Sequence, residues 1–351
     1  MIHTDALIVG AGPVGLFQVF QLGLLEVKAQ VVDSLPAAGG QCAELYPDKP
    51  IYDLPGLPVC SGQELTERLL QQIRPFGAGM HFDQEVSAVQ TQPGGDRGSF
   101  VVQTSTGTRF STRVIIVAAG AGAFMPRPLK LPGIEAFVGS QLFYRAAHAT
   151  RFEGQHLVVL GDGDTAIKTA LQLAHAAPGG PESVTLVHRR DQFRAEPALV
   201  ERLHAACVAG ALRFVAGQPT GFVRAGDRLH ELQLMTGDGS TKNLRADALL
   251  VLMGVSPRLG PINDWGLALE RRQVLVDTEK FQTSTPGIFA VGDINSYPGK
   301  KKLIVCGFHE ATLAAYAAAR LVHPDRTMPL QYTTTSPRLH QLLGVATPDE
   351  D

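Results

Sequence analysis

The stretch Asp5–Gly15, DALIVGAGPVG, constrains this chain more than any other. Ala6–Val9 is an apolar run with the length and β-branched content of a buried strand. Gly10, Gly12 and Gly15, with Pro13 among them, then form G-x-G-x-x-G at the mouth of an apolar helix. The first glycine allows the sharp turn, the second lets the backbone approach a pyrophosphate, and the third brings helix and strand together. The helix N-terminus turns free N–H groups and a partial positive charge toward phosphate. Val31–Val32 end the next strand, and Asp33 follows where an acidic residue accepts hydrogen bonds from an adenosine ribose. Three glycines in a loop can be a turn and nothing more. Here strand, helix and Asp33 stand in register with them, and a nucleotide site is expected.

At 351 residues the chain is long enough for two domains. Its 44% hydrophobic and 18% charged content describe a soluble globular protein, and a net charge of −2 gives no reason to expect nucleic acid or membrane surfaces as partners. Met1 leads into the first strand without a basic leader region, and the longest apolar runs, such as 246–255, are too short to span a bilayer. A cytoplasmic protein is expected. Cys42, Cys60, Cys207 and Cys306 are widely separated, with neither C-x-x-C nor metal-ligand spacing, and read as reduced thiols.

After the first βαβ unit, 34–47 is too rich in Gly and Pro for a strand or a long helix and suits a loop crossing a ligand. Gln41 offers a donor and an acceptor, and Tyr46 a flat face; the same residues also suit a surface loop with one exposed tyrosine. Ser61 and Glu64 make a capping box for a helix through Leu70. Short strands follow at 85–89, 100–104 and 114–117. The Gly-rich 118–122 and then Pro126, Pro128 and Pro132 mark a domain boundary.

The second domain repeats the opening. His156–Leu160 is a buried strand, and Gly161–Ala166 is G-x-G-x-x-A, carrying Gly163, Asp164 and Thr165 into an apolar helix. The strand 184–187 then delivers His188, Arg189, Arg190 and, further on, Arg194. Where an NAD site presents a carboxylate to the ribose, this chain presents arginines, which favour a 2′-phosphate by charge-assisted hydrogen bonds; the cofactor expected is NADP(H). Asp162 departs from the pattern. Its carboxylate would repel a pyrophosphate or, turned away, cap the helix, and the cap is preferred.

Further strands run from about Leu212 to Val255, and 288–291 reads as a strand ending in Gly292–Asp293, whose carboxylate suits the hydroxyls of a flavin's ribityl chain. An Ala-rich helix is expected from Glu310 to Leu321, then an irregular tail from Pro329.

Two nucleotide-binding units, the second with an arginine pair, joined by Pro-rich hinges and closed by a strand-Gly-Asp segment, resemble the two-dinucleotide-binding flavoproteins. Within them the chain is similar, essentially end to end, to the thioredoxin-reductase-like ferredoxin (flavodoxin)–NADP reductases. VGAGPVGLF (9–17), DSLPAAGGQ (33–41), ELYPDKPIYDLPG (44–56), AGAGAFMPR (119–127), HRRDQFRA (188–195), LGPINDWGL (259–267) and FAVGDINSYPGK (289–300) carry the resemblance.

The resemblance implies an α/β fold of two Rossmann-like domains: FAD in a discontinuous 1–120 plus 286–351 domain, and NADP(H) in 121–285. It implies hydride transfer from NADPH to FAD and single electrons to ferredoxin or flavodoxin, reversibly, in a homodimer. By position, Asp33 would hold the FAD ribose, where many members have Glu, and Gln41 the flavin side. Tyr46 would stack on the isoalloxazine, Val86 reach the adenine region, Phe124 lie at the hinge and Asp293 bind the ribityl or pyrophosphate part. Tyr332, or else Gln331, would cover the other flavin face, with Thr334 beside it. Position 121 is Ala where Asn is usual. Dithiol chemistry lacks its thiols. The stretch 144–148, where thioredoxin reductases carry C-x-x-C, has no cysteine, and Pro47 stands where glutathione-reductase-like enzymes place the partner of Cys42. A disulfide reductase using Cys42 and a non-enzymatic FAD/NADPH redox sensor are the alternatives. Lys300–Lys302, or less favourably Arg271–Arg272, would dock an acidic carrier; a solvated lysine loop is the competing reading.

Overall fold

The computed structural model describes residues 1–92, 100–145, 148–176, 179–327 and 332–345. The chain divides into one unit of 1–123 with 257–351 and a second of 124–256. The second unit ends at 256, and Leu259, Ile262, Leu267 and Val274 are buried with Val9 and Val32 of the first unit.

The first unit opens with strand β1 (Ile2–Val9), helix α1 (Pro13–Leu24) and strand β2 (Ala29–Val32). The loop that follows holds a six-residue helix, α2 (Gly40–Leu45), and α3 (Gly62–Ile73) begins at the expected capping box, with Ser61 and Glu64 reciprocally bonded. Strands β3 (Gly79–His81), β4 (Val86–Thr91), β5 (Phe100–Thr104) and β6 (Arg109–Val117) complete this half. The sheet order is β3-β2-β1-β6-β5-β4, parallel through β6 and then an antiparallel meander. Alternation along β1 serves two cores: Ala6 and Ile8 face one apolar cluster, Leu7 and Val9 the other. Such a strand, covered on both faces, is why the sequence shows a continuous apolar run.

The second unit is built on a parallel sheet of strands β7 (Leu142–Phe143), β8 (His156–Leu160), β9 (Ser183–His188), β10 (Arg213–Ala216) and a strand at 248–251. Helix α4 (Asp164–Ala174) follows β8, and α5 (Pro197–Val208) follows β9. Again the strand is two-faced, with Val158 and Leu160 in one core and Leu157 and Val159 in the other.

Back in the first unit, a strand at 288–290 pairs with the end of β6, where β5 no longer reaches. Helix α6 (Ile304–Val322) starts a turn and a half before the expected Glu310. The tail is not irregular throughout: Ser336 caps α7 (Pro337–Leu343).

Candidate functional site

Parallel strands of the first unit end together at the glycine turn, where ligands of open α/β sheets bind. Gly10 has φ +114°, and a Cβ there would strike the Ala118 carbonyl; a Cβ on Gly15 would overlap the Gly10 carbonyl oxygen. Both are required by the protein's own packing. Gly12 is different: a Cβ would meet nothing closer than Gly40 Cα at 3.8 Å. Its open face is a cradle. Pro13 occupies the first turn of α1, where a missing N–H costs nothing, and that turn contains no acidic side chain. The field of the helix end is therefore left to an outside anion.

Asp33 closes one side. Its carboxylate accepts from the backbone N–H of Ala11 at 2.6 Å and of Leu35 at 2.8 Å. Burial pushes its pKa up, and these hydrogen bonds oppose the rise. One further lone pair on each oxygen remains for sugar hydroxyls. The 34–41 loop lies over the turn: Gly39 N–H donates to the Ala11 carbonyl at 2.9 Å, and a Cβ on Gly40 would come within 2.9 Å of Gly12 Cα. Gln41, half-buried, holds its amide 3.0 Å from where a side chain at Gly120 would begin. Tyr46 ends α2 half-buried, and the Cys42 thiol donates toward its hydroxyl at 3.7 Å. Burial raises the pKa of both, and the charge of Asp293 raises each further, which places that carboxylate in the same neighbourhood.

Asp293 follows Gly292, whose Cα region packs on Val14 of α1. Burial lifts its pKa, Lys300 and Lys302 pull it down, and among the described residues nothing donates a hydrogen bond to its carboxylate. A half-buried carboxylate that lacks a hydrogen-bond donor among the described residues can accept from the hydroxyls of a ligand. The open face of Gly12 with the acceptor oxygens of Asp33 and Asp293 fits a dinucleotide with a polyol chain.

Other expected residues lie elsewhere or contribute differently. Val86 is 2% exposed in the core with Val9 and Val32, so only its backbone can serve an adenine. Phe124 falls in the strand Ala123–Pro126, and its side chain lies outside the described atoms. Tyr332 is 66% exposed and Thr334 is exposed too. Their neighbours Thr333 and Ser336 line a small cavity with Leu24, Leu25 and Tyr316, at the far end of α1 from the glycine turn. Arg338 holds the tail there by pairing with Glu26 at 3.1 Å. Within this chain the tail packs at that end of α1, and Tyr332 and Thr334 point outward from it; Gln331 lies outside the described residues.

The expectation for Lys300 is corrected. It is 7% exposed and donates to the Gly292 carbonyl at 2.8 Å and to Glu310, a fully buried carboxylate on α6. Glu310 accepts from Gly292 N–H (2.7 Å), Asn295 (2.8 Å) and Tyr297 (2.9 Å) as well. Sequence reasoning missed this network, which fixes the Gly292–Asp293 turn. Lys301 and Lys302 are exposed.

In the second unit a Cβ at Gly161 would meet Ala166 Cβ at 2.6 Å, so helix and strand touch there, while Gly163 faces open space up to the Arg194 carbonyl at 3.9 Å. Arg189, Arg190 and Thr165 are exposed at the end of β9 and the start of α4. His188 Nδ1 lies 3.0 Å from the Arg190 carbonyl, and Asp164 accepts from Glu196 N–H at 2.9 Å, tying the arginine loop to α4. Asp162 does not cap α4, whose N-cap is Gly163 without a side-chain bond; its carboxylate pairs instead with Arg194 at 3.1 Å and His188 at 3.5 Å.

Residues 4–318 match the model of the pyridine nucleotide-disulphide oxidoreductases. The chain belongs to that family. Among curated members, a ferredoxin–NADP reductase of Methylibium petroleiphilum is 56% identical over 99% of this chain and 94% of its own. One of Albidiferax ferrireducens is 56% identical over 99% and 97%. The fold is shared with the thioredoxin reductase of Lactococcus lactis at TM-score 0.59 and 23% identity, covering 92% of this chain and 99% of that one. As a member of the family, this chain has the mixed α/β architecture of two-domain flavoproteins but no thiol pair at 144–148.

Proposed function

We propose that this protein is an FAD-dependent ferredoxin–NADP reductase. The observation that carries the reading is identity of 56% across nearly the whole chain with ferredoxin–NADP reductases. In this reading the first unit takes FAD and the second NADP(H), each on a Rossmann-like turn. When bound, FAD supplies the coupling between a two-electron hydride donor and a one-electron protein carrier.

The chain's own residues bind and orient. Gly10, Gly12, Pro13 and Gly15 form the pyrophosphate cradle; Asp33 takes ribose hydroxyls and Asp293 the ribityl chain. Gln41 and Tyr46 border the ring, and the high pKa of Tyr46 keeps its phenol neutral, a flat face with no charge to disturb the stacked partner. Gly163, Asp164, Thr165 and His188 shape the second turn, while Arg189, Arg190 and Arg194 receive the 2′-phosphate. No side chain serves as acid, base or nucleophile. Ferredoxin or flavodoxin is the protein partner and the acting form is a homodimer, as the family resemblance implies; four cysteines that lack disulfide or metal spacing are in keeping with a cytoplasmic protein.

The test is anaerobic reduction of the purified holoprotein with NADPH or NADH, followed by cytochrome c reduction with and without ferredoxin or flavodoxin. Rapid flavin bleaching by NADPH in preference to NADH, with carrier-dependent cytochrome reduction, is expected. Arg189→Ala with Arg190→Ala should raise KM for NADPH roughly ten- to a hundredfold, the worth of one lost charged hydrogen bond, and leave NADH unchanged. Bleaching with no transfer to either carrier would sink the reading.

A further inference from the structure

The segment His188–Arg194, which the proposed function gives to the 2′-phosphate, is already clipped to the second glycine turn. Arg194 N–H donates to the Asp162 carbonyl at 2.8 Å, and the two side chains pair through Arg194 Nε and Asp162 Oδ2 at 3.1 Å. His188 Nε2 stands 3.5 Å from the same oxygen. Asp162 therefore holds Arg194, with the His188 ring alongside, on a carboxylate that sits between Gly161 and Gly163, where phosphate would approach the N-terminus of α4.

We propose that Asp162 is an affinity-setting residue of this nucleotide site, an internal anion that competes with incoming phosphate for Arg194. The proposal rests on the reading of this site as the NADP(H) site. The geometry makes competition possible because the Arg194 side chain is 78% exposed, so its pairing with Asp162 is screened and weak. A phosphate dianion offers more charge and more acceptor oxygens than one carboxylate and takes the guanidinium over. Once displaced, the Asp162 carboxylate stays in the glycine turn as a like charge near bound phosphate. The effect is to hold affinity below what three arginines and a helix N-terminus would give, and so to speed release of the spent nucleotide, a step that limits many enzymes. Asp164 plays no such part, because its carboxylate is engaged by Glu196 N–H on the loop.

The experiment titrates the holoprotein calorimetrically with 2′,5′-ADP and with 5′-AMP, comparing wild type, Asp162→Asn, Arg194→Ala and the double variant, with NADP+ release measured by stopped flow. Asp162→Asn should bind 2′,5′-ADP roughly three- to tenfold tighter, the worth of one like charge removed at a few ångströms in a wet site, and release NADP+ correspondingly more slowly. The gain for 5′-AMP should be smaller. In the Arg194→Ala background the gain for 2′,5′-ADP should shrink by at least half. Asp162→Gly, which adds no atoms to a turn already holding Gly161 and Gly163, should move affinity in the same direction. Unchanged or weaker binding in both Asp162 variants overturns the proposal, since Asp162 would then be a strut that orients Arg194. A gain undiminished by Arg194→Ala overturns it too. If wild type shows no preference for 2′,5′-ADP over 5′-AMP, the NADP(H) reading fails and takes the proposal with it; a preference without any Asp162 effect rejects the proposal alone.

Discussion

Lys300 and Glu310 form an ion pair sealed inside the first unit, with side-chain exposures of 7% and 0%. Through it, α6 is fastened to the turn that carries Asp293: Glu310 accepts from Gly292 N–H, and Lys300 donates to the Gly292 carbonyl. Both backbone groups of one glycine are thus held by one charge pair.

Removing either partner strands the other charge in the interior. Glu310→Ala should cost about 3–5 kcal/mol in urea unfolding. Lys301→Glu with Lys302→Glu, on exposed neighbours, should change stability by no more than about 0.5 kcal/mol. Equal costs for the two variants would contradict the buried assignment.

Gly12 and Gly15 should separate fold from binding. Gly12→Ala meets nothing nearer than 3.8 Å and should cost about 1 kcal/mol or less, yet its methyl fills the cradle and flavin absorbance should be lost from the purified protein. Gly15→Ala drives a Cβ into the Gly10 carbonyl, backbone that cannot swing aside, and should cost at least about 1–3 kcal/mol. Thermal unfolding with and without added FAD reads both.

Asp293 carries a cost that its ligand would repay. Burial raises its pKa in the folded chain, so the native state holds the proton more tightly than the unfolded state does. Stability from this group is present below the ordinary carboxylate range and is lost as pH rises through the raised folded value. Asp293→Asn should therefore stabilise the apoprotein at pH 7 and leave it unchanged in acid, where the carboxyl is already protonated. The same variant should bind FAD roughly ten- to a hundredfold more weakly, as a charged hydrogen bond to a hydroxyl is lost. Unfolding curves at two pH values and FAD titration check the pair of effects.

Cys42 should behave as a packing residue. It is 2% exposed, and burial pushes its thiol up from an already high value, so it stays neutral through the physiological range. Iodoacetamide applied to the native protein near neutral pH should spare Cys42, and Cys42→Ser should keep ferredoxin-dependent turnover within about twofold, a change of less than 0.5 kcal/mol. Loss of turnover in that variant would revive a disulfide reductase.

Much of the site was legible because its signals are local. A glycine turn, the apolar run before it and the carboxylate at the end of the next strand lie within 33 residues of the N-terminus, and the structure puts Asp33 in hydrogen-bond contact with that turn. The Ser61–Glu64 capping box is likewise a relationship across three residues. The arginines at the end of β9 could be read for the same reason, since a strand of known direction delivers its last residues to a known place.

Where side chains meet across long stretches of chain, the sequence was silent or misleading. Leu259 and Ile262 are buried with Val9 and Val32, from the opposite end of the chain, a contact that no local pattern announces. Lys300, in a run of three lysines, looks like surface, and Asp162, beside a helix start, looks like a cap. By itself the sequence determined the two glycine turns, the strands that feed them and the acidic and basic residues at their ends, since backbone conformation and strand periodicity are set by neighbours in the chain. Only the tertiary structure decided that Lys300 turns inward to Glu310 and Asp162 sideways to Arg194, because a charge takes the partner that packing brings within reach.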